Sequence, residues 1–231
     1  MSPGLQAVRE RLAQSCREQG RAPDSVELVA VSKKQPLAAI RTAYEDGQRL
    51  FGENRVQELV GKAQDLEDLD ALSWHFIGSL QTNKVKDLLG VERLTMLHSL
   101  DRVRLADELQ RELERTGRRL AALLQIHATD EAAKHGCPPG EAQSLLEHVV
   151  SHCPRLEVCG LMAMGPLDGD SRPAFELVAS LRDELVAKSG LPLPHLSLGM
   201  SHDLEEGIAA QATMVRVGSA VFGPRPPGVV Q

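Results

Sequence analysis

VELVAVSKKQPLAAIRTAYEDGQRLFGENRVQELVGKAQDLEDLDALSWHFIGS, residues 26–79, decides the fold. It contains the short apolar runs VELVAVS (26–32), QRLFGE (48–53) and WHFIGS (74–79). The stretches between them, PLAAIRTAYEDG (36–47) and NRVQELVGKAQDLED (54–68), have helical spacing. Strands that are apolar throughout and alternate with amphipathic helices indicate a parallel sheet covered by helices. The same alternation continues downstream through LTMLHS (94–99), LAALLQIHA (120–128), LEVCGLMAM (156–164), HLSLGM (195–200) and TMVRVG (213–218). Helical segments are expected at 101–117, 140–153, 172–190 and 201–211. Eight such units in a chain of 231 residues fit a closed (β/α)8 barrel of the TIM type better than an open doubly wound sheet. A further N-terminal helix at 3–19 places Leu5, Val8 and Leu12 on one face. Only SAVFGPRPPGVVQ follows the last strand, so this helix is expected to cover the position of a full eighth helix. Pro36 is expected to open the first barrel helix and Asp101 to cap the one after strand four. No linker, repeat or low-complexity segment interrupts the pattern, which predicts one domain over 1–231.

Composition narrows the function classes. Apolar residues make up 42% and charged residues 25%, an ordinary globular balance. Aromatic residues are only 3%, which argues against base-stacking nucleic-acid modules. A net charge of −6 gives no basic footprint for a polyanion. No apolar run reaches the roughly 18 residues of a membrane span, and MSPGLQAVRERLAQSCREQG carries charges where a secretion signal is apolar. A cytoplasmic protein is expected. Its cysteines at 16, 137, 153 and 159 lack metal or redox spacing and read as reduced, mostly buried thiols. His148 and His152 lie one helical turn apart beside Cys153, but no third ligand stands at a recognised spacing, so they read as solvated polarity. The charged segments 58–70 and 101–119 read as solvated helix faces.

In such a barrel, functional groups collect where strands end. Strand one ends in Ser32, Lys33 and Lys34, and strand two in Glu53 and Asn54. Strands seven and eight run into GMSHD and RVGSA, small residues and hydroxyls that each open a helical turn. Backbone N–H groups at helix starts bind phosphate, and this barrel most often places its phosphate site after these two strands. Lys33 continues an apolar strand, where lost solvation favours the neutral, carbonyl-reactive amine; Lys34 leads away into Gln35 and Pro36. A carbonyl-reactive lysine across a barrel from a phosphate pocket describes a pyridoxal 5′-phosphate (PLP) site.

LVAVSKKQP, FGENRVQE, WHFIGSLQTNK, GLMAM, LSLGMSHD and MVRVGSAVFGPR, in this order from about residue 26 to 225, resemble the pyridoxal phosphate homeostasis proteins. These are barrels similar to the N-terminal domain of bacterial alanine racemase and to eukaryotic ornithine decarboxylase. The resemblance implies that Lys33 forms an internal aldimine with PLP and that Asn54 lies near the cofactor. It implies phosphate-binding turns at Met200 and Ser201 and at Gly218 and Ser219, with Arg216 facing the pyridine nitrogen. His202 stands where an acidic or small residue is usual, and His127 where asparagine is frequent. A guanidinium is always a cation and only donates, so it keeps the ring nitrogen unprotonated and the ring a weaker electron sink.

The resemblance implies a protein that holds PLP, buffers it and delivers it, with PLP-dependent apo-enzymes as the recipients, without significant catalysis. A monomer without nucleic-acid or membrane partners is expected. Alanine racemase draws a second base, a tyrosine, from an extra domain of a partner subunit; this sequence ends at 231 without that domain. Its single tyrosine, Tyr44, falls late in the first barrel helix. The alternatives are an amino-acid racemase or decarboxylase using His127, His202 or His75 as acid or base, and a phosphosugar enzyme in which Lys33 captures its substrate. Ser201, His202 and Asp203 spell a hydrolase triad, but triad members meet from distant segments, so their adjacency counts against one.

Overall fold

The computed structural model describes residues 2–129 and 135–224. The strands are β1 (Glu27–Val31), β2 (Leu50–Glu53), β3 (Ser73–Phe76), β4 (Leu94–Leu100), β5 (Leu120–Gln125), β6 (Leu156–Met162), β7 (His195–Ser197) and β8 (Met214–Val217). They close in chain order into a parallel barrel. Closure is made by β1 on β8, with Val29 opposite Arg216. Every expected strand is present; each is shorter than its expected run except β4, which extends one residue further to Leu100.

The helices are α1 (Pro3–Glu18), α2 (Leu37–Glu45), α3 (Val56–Asp65), α4 (Val85–Leu89), α5 (Val103–Thr116), α6 (Ala142–His152), α7 (Arg172–Ser189), α8 (Leu204–Ala209) and α9 (Ser219–Phe222). Their apolar stripes bury against the outside of the sheet: α5, for example, places Leu105, Leu109 and Leu113 in the core. As expected, α1 packs on the short α8 and α9, burying Leu5, Val8, Leu12 and Cys16. Its Arg11 ties it to the mouth by pairing with Glu205 and donating to the Ser201 carbonyl at 2.8 Å. α4 was not anticipated, because five residues are too few to display a helical period. Asp101 does not cap α5; Arg102 occupies the cap position and Asp101 instead receives its guanidinium. Pro36 stands at the cap of α2, one residue before the helix. All four cysteines are free thiols, and Cys16, Cys137 and Cys153 are buried. Among the described residues, no helix is long and apolar enough to cross a membrane.

One part of the predicted solvated face at 58–70 is not solvated. Lys62 on α3 is buried, and its Nζ donates to Glu53 Oε1 (2.7 Å), Glu58 Oε1 (2.7 Å) and the Ser32 carbonyl (2.6 Å). Ser32 Oγ donates to the same Glu53 oxygen at 2.6 Å, and the Lys34 amide donates to Glu58. The turn that carries Lys33 is therefore clamped on both sides. Its strain is visible at Lys34, whose φ of 60° lies in the left-handed region. Glu53 is fully buried with Oε2 unpartnered. Burial pushes its carboxyl above the usual range, although Lys62 and Ser32 pull the other way.

Removing one member of a buried ion pair strands the other, at a cost of about 3–5 kcal/mol. Lys62→Met is expected to lose that much stability in urea unfolding at pH 7. The double change Lys62→Met with Glu53→Gln, which leaves no stranded charge at position 53, is expected to recover most of it. Equal losses in the single and double variants would show that the triad does not hold the turn.

Candidate cofactor site at the barrel mouth

The C-terminal ends of the strands surround a cavity of about 670 Å³. Lys33, Asn54, Met200, Ser201, Arg216, Gly218 and Ser219 all line it. So do Gly78 and Ser79 after β3, Gln125 at the end of β5, and Met162 and Met164 at and after the end of β6. Among the described residues, no carboxylate lines the cavity, although the chain carries a net charge of −6. The mouth is instead lined by Lys33, Arg216, His135 and His202, a field that attracts anions. Gln125 and His135 were not singled out from the sequence. Neither stands in a motif, and they meet only because the Gln125 amide donates to the His135 carbonyl at 2.8 Å.

The loops after β7 and β8 meet as a pair, with the Ser201 and Ser219 hydroxyl oxygens 3.3 Å apart. The first N–H groups of α9 have no partner within a helix. Gly199 makes the first of these turns at a φ of 89°, a conformation glycine reaches without strain. Asp203 then fixes the loop: it is buried, accepting from the Met200 amide at 2.6 Å and from Ser171 Oγ at 2.9 Å. The apparent triad is thus dissolved. Asp203 faces inward, His202 is largely exposed and 3.6 Å from it, and the Ser201 hydroxyl faces Ser219. Asp203 is a supporting residue that the sequence reading passed over, because nothing local marks it as buried.

Lys33 is half-buried in the clamped turn after β1. On the neighbouring strands, the ends of β2 and β3 touch: a Cβ on Gly78 would lie 2.1 Å from the Asn54 carbonyl oxygen, so only glycine fits beneath Asn54.

Arg216 projects from β8 into the barrel and is 4% exposed. Its Nη1 donates to the Ser197 carbonyl and hydroxyl oxygens, both at 2.6 Å, and Nη2 donates to the Ala163 carbonyl at 2.8 Å. Every one of these acceptors is neutral. Burial lowers the guanidinium to about 10, so it remains a cation at neutral pH, with Asp203 acting weakly in the opposite sense. One hydrogen on Nη2 and the one on Nε remain for a ligand in the cavity.

The other histidines divide. His202 lines the cavity; His127 does not, and its amide donates to the Cys137 carbonyl at 2.9 Å. His75 lies inside the barrel, 2.8 Å from His98. Tyr44 is on α2, with its ring under Arg49 and its hydroxyl accepting from the Ala71 amide. On the outer surface, α5 brings Asp107 to His148 Nε2 at 2.7 Å beside Cys153. Burial pushes the Cys153 thiol up to about 11, and Asp107 joins the His148–Cys153 pair that the sequence reads as solvated polarity.

A family model described as "Alanine racemase, N-terminal domain" matches residues 5–226. The pyridoxal phosphate homeostasis protein of Bos taurus is 42% identical, covering 96% of this chain and 86% of its own. The protein of the same name from Aquifex aeolicus is 42% identical, covering 96% of both chains. PipY of Synechococcus elongatus, solved with PLP bound, is 37% identical with a TM-score of 0.80, covering 92% of this chain and 100% of its own. Shared sequence over nearly the whole length and a shared closed barrel place this chain in the pyridoxal phosphate homeostasis family, within the larger group built on the alanine racemase N-terminal domain.

Proposed function

We propose that the chain binds pyridoxal 5′-phosphate at the barrel mouth and serves intracellular vitamin B6 homeostasis by holding, buffering and delivering it, without significant catalysis. The carrying observation is the make-up of the mouth among the described residues: one lysine, two serine corners in contact, the Arg216 guanidinium and no carboxylate. A phosphorylated pyridine aldehyde offers a group complementary to each. When bound, the cofactor supplies an aldehyde that condenses reversibly with a primary amine, releasing one water. In this reading Lys33 supplies that amine. Ser201, Ser219 and the backbone of Met200 and Gly218 take the phosphate, held in register by Asp203. Asn54 borders the ring, and Arg216 donates to the ring nitrogen. The names of the relatives and the PLP in PipY support the ligand. The protein is read as a cytoplasmic monomer, with PLP-dependent apo-enzymes as recipients and no nucleic-acid or membrane partner. Against a two-base racemase stand Tyr44, remote on α2, and the weak electron sink that Arg216 makes of the ring.

Protein incubated with PLP is expected to become yellow, and borohydride reduction is expected to leave the cofactor's mass on the peptide containing Lys33. Lys33→Ala should carry no label; a label elsewhere would reassign the lysine, and a colourless protein would remove the reading altogether.

Each hydroxyl bonded to a phosphate dianion is worth about 10- to 100-fold in affinity. Ser201→Ala and Ser219→Ala are therefore expected to weaken PLP by about tenfold or more in spectral titrations. Pyridoxal, which lacks the phosphate, should bind equally to all three proteins. An equal effect on pyridoxal would place the serines elsewhere.

With L-alanine deuterated at the α-carbon, the PLP-loaded protein is expected to wash out no deuterium above a free-PLP control. Exchange at an enzymatic rate would overturn the non-catalytic reading, and its loss in His202→Ala would name the second base.

A further inference from the structure

The barrel interior contains a polar line of which only Arg216 enters the proposed PLP site directly. His75 comes from β3, His98 from β4, Ser197 from β7 and Arg216 from β8. In the closed strand order β3 stands opposite β7 and β4 opposite β8, so these side chains cross the barrel from wall to wall. His98 Nε2 lies 2.8 Å from His75 Nδ1, and His98 Nδ1 lies 3.0 Å from Ser197 Oγ. Ser197 Oγ in turn accepts from Arg216 Nη1 at 2.6 Å. All four residues are at least 95% buried, and Met96, Leu123, Met162 and Met214 form a separate apolar cluster.

The direction of these bonds follows from Arg216. A guanidinium cannot accept, so Ser197 Oγ is an acceptor toward it, and the arrangement that gives the serine hydrogen an acceptor sends it to His98 Nδ1. In that arrangement His98 carries its proton on Nε2, which donates to His75 Nδ1 and sets that tautomer too. Burial keeps both rings neutral: His75 is lowered to about 3 and His98 well below its usual value. No second cation therefore forms beside Arg216.

We propose that Ser197, His98 and His75 are positioning residues: they form a one-way chain of hydrogen-bond donation across the barrel that holds the Arg216 guanidinium in a single orientation, with its remaining donors turned to the cofactor's ring nitrogen. This rests on the PLP reading above. Buried polar networks of this kind fix one arrangement only when every member is satisfied. Loss of one member frees the guanidinium to turn and leaves its neighbour unpaired.

The test uses the intact protein loaded with PLP carrying ¹⁵N in the ring. In the unchanged protein the ring nitrogen is expected to resonate as an unprotonated pyridine. Ser197→Ala, which removes one oxygen, and His98→Leu are expected to move that resonance toward the protonated form and to weaken PLP by about tenfold. His98→Asn, whose carbonyl can accept from Ser197 in place of Nδ1, is expected to restore both toward the original values. Circular dichroism checks folding, and Ser197→Ala decides alone if His98→Leu does not fold. A ring-nitrogen signal unchanged in Ser197→Ala and in any folded His98→Leu would overturn the proposal and leave these side chains as packing. Arg216→Gln separates the two levels. If it too leaves the signal unchanged, the role given to Arg216 fails and this inference with it; if it alone moves the signal, only the relay fails.

Discussion

A buried cation held only by neutral hydrogen-bond acceptors is the constraint around which this barrel is arranged. Arg216 sits almost wholly out of water, and the groups that hold it are two carbonyls and a hydroxyl. Isolated charges are expensive to bury unless hydrogen bonds replace their hydration. The acceptors that do so come from β7 and from the residue after β6, so they are assembled only when the barrel closes. Three of the five guanidinium hydrogens are then committed. Arg216 lines a cavity that has no carboxylate among the described residues, and the hydrogens left over can meet only an electron pair. Under the proposed reading, that is a ring nitrogen without its proton, while the serine corners stand ready for the phosphate.

Two lysines close together in space show how the fold separates structural from chemical roles. Lys62 is committed to Glu53, Glu58 and the Ser32 carbonyl, so its charge is matched and its position fixed. That fixation extends into the turn through Ser32 and the Lys34 amide, and Lys33 lies between these two anchored residues with its side chain at the cavity. Precision at Lys33 is therefore produced one layer behind it. Asp203 does the same for the loop after β7, and Ser197 with the two histidines does it for Arg216.

The barrel was legible because its signal is long: eight apolar runs with helical stretches between them leave few other ways to bury the sheet. The mouth was legible because strand ends in such a fold share one address. What escaped the sequence is the supporting layer. Lys62 and Glu58 look like any exposed pair one helical turn apart, and only the packing of α3 over β1 and β2 shows that they are covered. His75 and His98 lie in separate strand runs, and no spacing relates them, since their contact arises only when β3 and β4 pair. Asp101 followed a sound capping rule and lost to its neighbour, because Arg102 reaches back to both Asp101 and the Leu80 carbonyl and takes the cap position itself. α4 escaped for want of length.

Grip and reactivity pull in opposite directions at this site. Pyridoxal chemistry at an amino acid's α-carbon runs on electron withdrawal into a protonated ring, which a carboxylate beside the ring nitrogen would enforce. A donor-only guanidinium held from behind by neutral groups enforces the reverse. The same arrangement that improves recognition, by demanding a lone pair on the ring, weakens the ring as an electron sink. The buried histidines reinforce it: both stay neutral, and their tautomers are set by donation that begins at Arg216, so neither is poised to hand a proton back toward the ring. Under the proposed reading, with Lys33 as the capturing amine, a mouth built this way favours reversible capture of the aldehyde over transformation of an amine that later displaces the lysine, which is the behaviour a reservoir requires.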